Sequence, residues 1–228
     1  ARTVERIVGG KFFNAGQTCV APDFLLVPEE KRVQIVDLLR SQLEECYGED
    51  PQEDLANIVN DQHYQRLLKL IPDDALAIGE DDPDHRHLAP RIIPDADWNS
   101  PAMQEEIFGP ILPVVGYASL DEALAKLKQK PDPLALYCFS QNAQTREKVA
   151  AAVRSGAVCF NDVSKPTQNF HLPLGGVGRS GHGRYHGEAG FRNFSYARSY
   201  VRRSLLKDPF LILPPYKGRL PFVKRFLK

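Results

Sequence analysis

The sequence predicts an α/β fold, an open and mostly parallel sheet with flanking helices, and three observations carry that prediction. Short apolar, β-branched runs alternate with amphipathic segments of about 12 residues, the pattern of βαβ units. The runs at 134–139 and 157–160 are followed or preceded by such segments, and both read as buried strands. At 228 residues the chain is long enough for one domain. Such a domain buries roughly 70% of its unfolded surface and needs no staples.

The elements follow in order. Residues 20–27 read as a buried strand, apolar apart from Pro22 and Asp23 and stopped by Pro28. Residues 29–46 place Val33, Ile35, Val36, Leu38, Leu39 and Leu43 at helical spacing behind two acids in the first turn, with Gly48 as a stop. A second helix is expected over 61–71 on Leu67, Leu68, Leu70 and Ile71. Residues 73–87 are acidic and polar, an exposed loop with one short strand at 75–78. The apolar run 107–115 is a strand that its prolines confine to strand ends or a sheet edge. Ser119-x-x-Glu122 is a capping box that opens a helix running to Lys130. Then come a strand at 134–139, a helix at 143–154, a buried strand at 157–160 and a late polar–apolar strand at 198–206.

Composition bounds the function. Lys+Arg 29 against Asp+Glu 29 removes any general electrostatic reason to expect nucleic acid. Four cysteines, at 19, 46, 138 and 159, have no paired spacing, which fits a reduced, cytoplasmic setting. No apolar run approaches the roughly 18 residues of a membrane span, and no signal-peptide pattern is present, so the chain is expected to be soluble.

Residues 11–22 present a lone cysteine, Cys19, directly after Gly16-Gln17-Thr18. A thiolate becomes a strong nucleophile when backbone N–H groups or cations stabilise it, and a nearby glycine permits the tight turn such a site needs. Spacing alone favours a small buried hydrophobe. The segment Phe12-x-x-x-Gly16-Gln17-x-Cys19-Val20-Ala21 resembles the active-site cysteine signature of the aldehyde dehydrogenase superfamily. Residues 101–110, Pro-Ala-Met-Gln-Glu-Glu-Ile-Phe-Gly-Pro, are similar to that family's second signature. Residues 173–181 resemble the glycine loop after its last sheet strand. The tail, Tyr185-His186-Gly187-Glu188 through Phe194-Ser195 and Pro214-Pro215-Tyr216, is similar to the class-3, fatty-aldehyde-type branch. The motifs occur in order from near Arg6 to near Pro215.

The resemblance implies a catalytic domain over residues 1–196, an oligomerisation strand at 197–206 that pairs with a second subunit, and a C-terminal tail at 207–228. It implies Cys19 as the nucleophile that forms a thiohemiacetal and then a thioester, with its backbone N–H as one oxyanion donor. Glu106 matches the glutamate that accepts from the nicotinamide ribose hydroxyls, and Phe108 the ring packed against that ribose; a carboxylate suits two vicinal hydroxyls. The cofactor is NAD or NADP, the substrate a medium- or long-chain or aromatic aldehyde, and the assembly a homodimer. The dinucleotide-binding domain, the general-base glutamate of a Glu-Leu-Gly-Gly motif and an oxyanion-hole asparagine are expected upstream of this chain. Two other readings stay open: an inactive, thiol-bearing dimerisation module, and a CoA-acylating relative.

Asn161, at the end of the last apolar strand, stands where open α/β sheets place ligand-contacting residues, and a polar turn is its bland alternative. It is expected to order the catalytic loop, with Phe170 and His171 as walls of the aldehyde entrance. Residues 176–181 formally satisfy G-x-G-x-x-G, but the preceding strand ends over ten residues earlier, by about Asp162, and no acid sits about 20 residues on, so the dinucleotide reading is rejected. The glycines are taken instead as a tight loop beside the active site. His85-x-His87 and the His182/His186 pair lack further ligands, so no metal is expected, and the first pair is read as exposed. Residues 220–228 mix bulky apolar and basic side chains, either a loose tail or a short segment touching an anionic membrane surface.

Overall fold

The computed structural model describes residues 2–48, 53–205 and 217–226. It divides into two compact units, Ala1–Ser195 and Tyr196–Lys228. The first unit opens with α1 (Arg2–Phe12), which sequence reading passed over because Gly9-Gly10 lowers its helix propensity. Its buried residues, Val4, Ile7, Val8, Lys11 and Phe12, nevertheless fall at i, i+3, i+4, i+7 and i+8, one face of a helix.

Next come β1 (Leu25–Pro28), α2 (Arg32–Tyr47) and α3 (Asp61–Leu68). Three strands follow, β2 (Leu76–Ala77), β3 (Arg91–Ile93) and β4 (Ile111–Tyr117). Then α4 (Leu120–Leu127), β5 (Ala135–Cys138), α5 (Ala143–Ala152) and β6 (Ala157–Phe160) alternate, followed by the short helices α6 (Lys165–Gln168) and α7 (Gly187–Asn193). The main sheet runs β1-β4-β3-β2. The β1/β4 and β3/β4 pairs are parallel and β2 is antiparallel to β3. A separate parallel pair joins β5 to β6, with Ala135 opposite Ala157. The architecture is therefore α/β and mostly parallel, as expected.

The main core lies between this sheet and α1, α2 and α3; Phe12, Leu39, Leu43, Leu67, Ile92, Ile111 and Leu112 are almost wholly buried in it. A smaller cluster of Leu124, Cys138, Val149 and Val153 joins α4, β5 and α5. The capping box forms in part: the Ser119 hydroxyl accepts from the Glu122 N–H at 3.2 Å.

Several expectations need correction. The first strand begins at Leu25 rather than residue 20, because Pro22 has no N–H to give and Asp23 turns to accept from the Ile107 N–H at 2.9 Å. The strand at β4 is central, not an edge. Pro113 is tolerated there because it faces Ile93, the last residue of β3, and precedes Val114, where the β1 ladder starts. The β6 strand is not buried: Val158 and Phe160 are 36% and 40% exposed. Residues 73–87 are not uniformly exposed either; His85 is open to solvent, whereas His87 is buried. The glycines of 173–181 pack on their own return and on the approach to β6: a Cβ at Gly176 would strike the Ser180 carbonyl, and one at Gly156 the Gly175 carbonyl.

In the second unit, residues 196–204 carry neither helix nor strand, so the strand expected at 198–206 is not formed over its described residues. A strand needs a ladder partner to exist. The unit does contain α8 (Leu220–Phe226). Among the described residues no helix is long and apolar enough to cross a membrane.

Candidate active site

Cys19 sits just beyond α1, in a turn closed by the Ala21 N–H donating to the Thr18 carbonyl at 3.1 Å. Its thiol is unpaired and the residue is solvent-exposed. The approach to that turn is unusual. Asn14, Ala15 and Gly16 all take positive φ, at 52°, 53° and 71°. Asparagine and glycine visit this region readily, while Ala15 does so at a cost of roughly 1–2 kcal/mol. Glycine is required at position 16 for a second reason: a Cβ there would collide with the Gly109 carbonyl. The backbone of the cysteine segment thus lies directly against the backbone of the second motif.

Three side chains hold the cysteine segment in place. Gln17 reaches across to residues 57–59, accepting from the Val59 N–H at 2.9 Å and donating to the Asn57 carbonyl at 3.1 Å. The Tyr137 hydroxyl of β5 donates to the Val20 carbonyl at 2.7 Å and accepts from the Ser164 N–H at 3.3 Å. Burial pushes the Tyr137 phenol up to about 12, so it stays a donor at neutral pH. The third is Asp23, whose carboxylate accepts from the Ile107 N–H, joining the segment after Cys19 to the loop that carries Glu106 and Phe108.

That loop is held just as closely. Phe108 has φ +54°, an uncommon state for an aromatic residue. Its carbonyl accepts from His63 Nε2 at 2.7 Å, and the two rings lie 6.3 Å apart. Glu106 is accessible to solvent. Its carboxyl is nonetheless raised above the usual range, first by desolvation and then by the like charge of Asp23, with Lys11 and Arg66 opposing.

Beneath both segments lies Lys11, 1% exposed. Burial lowers its amine to about 8, against the pull of Asp23 and Glu106. Asp23 is raised by burial, opposed first by Lys11. Two cations, Lys11 and Arg66, and two carboxylates, Asp23 and Glu106, therefore act on one another where the two motifs meet. Neither Lys11, Asp23 nor Tyr137 was singled out from sequence. The helical spacing that buries Lys11 was readable; the contacts of Asp23 and Tyr137 span 84 and 117 residues and were not.

The remaining expected residues lie elsewhere. The Asn161 side chain accepts from the Ser140 N–H at 2.8 Å and donates to the Ser140 carbonyl at 3.1 Å, tying the ends of β5 and β6 rather than gripping the cysteine turn. The Asn161 carbonyl accepts from Arg6 of α1. Phe170 and His171 are exposed on the segment after α6, with the Phe170 ring 4.9 Å from that of His186.

The aldehyde dehydrogenase family pattern matches residues 1–200. The chain is 43% identical over 229 residues to the 4,4'-diaponeurosporen-aldehyde dehydrogenase of Staphylococcus aureus, covering 98% of this chain and 50% of that protein. It is 44% identical over 221 residues to the dimeric NADP-preferring aldehyde dehydrogenase of Rattus norvegicus, covering 95% of this chain and 49% of the relative. It therefore spans about half the length of these relatives. A solved structure described as the substrate-bound state of Staphylococcus aureus AldH superposes with a TM-score of 0.93 at 42% identity, over 100% of this chain and 51% of that one. On these grounds the chain belongs to the aldehyde dehydrogenase family.

Proposed function

We propose that this chain supplies the nucleophile and part of the nicotinamide site of an NAD- or NADP-dependent aldehyde dehydrogenase. The observation that carries this reading is the junction of the two motifs: Gly16 against Gly109, and Asp23 accepting from Ile107. It ties the exposed Cys19 thiol to an accessible carboxylate with an aromatic ring two residues on.

The Cys19 sulfur adds to the aldehyde carbonyl, giving a thiohemiacetal whose oxyanion the Cys19 backbone N–H stabilises. Loss of hydride converts this adduct to a thioester, and water then releases the carboxylic acid and restores the thiol. Glu106 and Phe108 fit a nicotinamide ribose: an accessible carboxylate accepts from two vicinal hydroxyls, and a half-buried ring offers the sugar an apolar face. NAD or NADP, when bound, supplies the hydride acceptor. Asn161, by tying β5 to β6, supports the strand whose Tyr137 holds the cysteine turn, and Phe170 and His171 suit an apolar or aromatic aldehyde. The base that activates water and the rest of the dinucleotide site are assigned to sequence outside these residues.

In this reading residues 1–196 are the catalytic domain, 197–206 a strand completed by a second copy, and 207–228 a tail. The exposed side chains of Tyr196, Tyr200, Val201 and Leu205 support the homodimer. The free cysteines favour a reducing, cytoplasmic setting. Lys224 and Arg225 on α8 support weak contact with an anionic membrane surface, an idea lost if deleting 220–228 leaves vesicle co-sedimentation unchanged.

The test is NAD(P)H formation from hexanal and from a long-chain aldehyde. It uses the chain alone and the chain joined to the upstream half of the Staphylococcus aureus relative, each beside Cys19→Ala. Turnover that appears only in the joined protein and vanishes with Cys19→Ala is the expected result. Turnover that survives Cys19→Ala overturns the assignment of the nucleophile, and acyl-CoA formation when CoA is added would redirect it to the thiol-resolved reaction.

A further inference from the structure

The loop that carries Glu106 and Phe108 is gripped from a helix that belongs to none of the sequence motifs. On α3, Arg66 Nη1 donates to the Glu106 carbonyl at 3.2 Å and to Glu105 Oε1 at 2.7 Å, and Arg66 Nη2 donates to the Ile107 carbonyl. One turn earlier on the same face, His63 Nε2 donates to the Phe108 carbonyl at 2.7 Å. Three consecutive carbonyls are thus engaged by two side chains at i and i+3. A helix face brings such a pair together, and this helix is anchored at its start by Asn60, whose side chain accepts from the His63 N–H at 2.8 Å.

The two side chains also orient each other. Because His63 Nε2 faces a carbonyl it must carry the proton, which leaves Nδ1 as an acceptor; Arg66 Nε donates to it at 3.3 Å. The histidine is held as one tautomer, and the guanidinium fork is fixed in the plane that meets the loop. From the opposite side Asp23 accepts from the Ile107 N–H, so peptide groups are tethered on both flanks of the stretch. Phe108 keeps positive φ inside this grip. A non-glycine residue persists in that state only where surrounding contacts over-determine it.

We propose that Arg66 and His63 are positioning residues of the nicotinamide-ribose loop: by holding the carbonyls of Glu106, Ile107 and Phe108 they impose the left-handed backbone at Phe108. That backbone sets where the Glu106 carboxylate and the Phe108 ring point. The inference rests on the assignment of Glu106 and Phe108 to the cofactor. A lysine in place of Arg66 keeps the charge but loses the fork, and glutamine in place of His63 keeps a donor for the Phe108 carbonyl.

The first measurement is amide hydrogen exchange of residues 105–109 in the cofactor-free chain, for wild type, Arg66→Lys, His63→Ala and His63→Gln, each confirmed folded by its melting curve. Exchange about ten-fold faster in Arg66→Lys and His63→Ala, equivalent to about 1.4 kcal/mol of lost local stability, is expected, with His63→Gln close to wild type. Unchanged exchange in both of the first two variants overturns the clamp. The second is NADP+ affinity by fluorescence titration in the joined protein, where Arg66→Lys and His63→Ala are expected to bind about ten-fold more weakly and His63→Gln close to wild type. Their reaction with iodoacetamide at Cys19 should stay unaltered. Faster exchange with unchanged NADP+ affinity would uphold the clamp and overturn the role of Glu106 and Phe108 instead.

Discussion

Lys11 is the residue whose chemistry departs most from what its type suggests. Its amine is buried and lowered to about 8 from an ordinary 10.5. Below pH 8 it is charged in folded and unfolded chains alike, so the full cost of burying the cation is carried. Between pH 8 and 10.5 the folded chain releases its proton first, the unfolded chain binds more protons, and stability rises with pH. At about 1.4 kcal/mol per pH unit, that window is worth on the order of 3 kcal/mol. Lys11→Met removes the cost, so urea titrations should give a variant ahead of wild type at pH 7, with wild type closing on it between pH 8 and 10.5. A difference that stays flat across that window would mean that Asp23 and Glu106 already neutralise the buried charge. The same residue explains what sequence reading could and could not reach. Cys19, Glu106 and Phe108 stood out because they lie in contiguous motifs. Asp23, Arg66 and Tyr137 gain their roles from partners across the fold, and no local pattern distinguishes them from ordinary charged or aromatic positions; for Lys11 the helical spacing marks the burial but not the carboxylates around it.

Elements differ in how much of their definition is local, and their caps make this measurable. The helix α4 begins at Ser119, whose hydroxyl accepts from the Glu122 N–H, and α3 begins at Asn60, which does the same for His63. Replacing either cap with alanine should cost about 1 kcal/mol in urea unfolding. The consequences then diverge. Ser119→Ala disturbs the start of a helix outside the hydrogen bonds that hold Glu106, Ile107 and Phe108 and should leave NADP+ affinity unchanged in the joined protein, whereas Asn60→Ala loosens the turn that carries His63 and should weaken it. Equal effects on affinity would argue that α3 has no special link to the loop. Helices α2, α4 and α5 were readable for different local reasons: the apolar spacing and Gly48 stop of α2, the Ser119 cap of α4, and the helix-forming composition of α5 behind Asn142. The strand β3 was missed: three residues, Arg91–Ile93, leave no room for a period. The central place of β4 was obscured by Pro113, which is harmless only because of the register of its neighbours, a fact no single strand contains.

At the scale of the whole molecule, both apolar clusters are built from residues before Ser195, and residues 196–205 contribute exposed side chains instead. Tyr196, Tyr200 and Leu205 are at least 83% exposed, as is Val201, an apolar stretch that the second copy of the proposed homodimer would cover. Deleting 196–228 should therefore leave the melting transition of the first unit nearly intact and, under the proposed homodimer, convert the assembly to a monomer in sedimentation velocity. A truncated chain that still sediments as a dimer would move the pairing surface into the first unit. There β6, an edge strand with Val158 and Phe160 exposed, offers one apolar surface. Charged substitution at Val158 would then separate the two cases: it should leave assembly through the tail untouched and abolish assembly through β6.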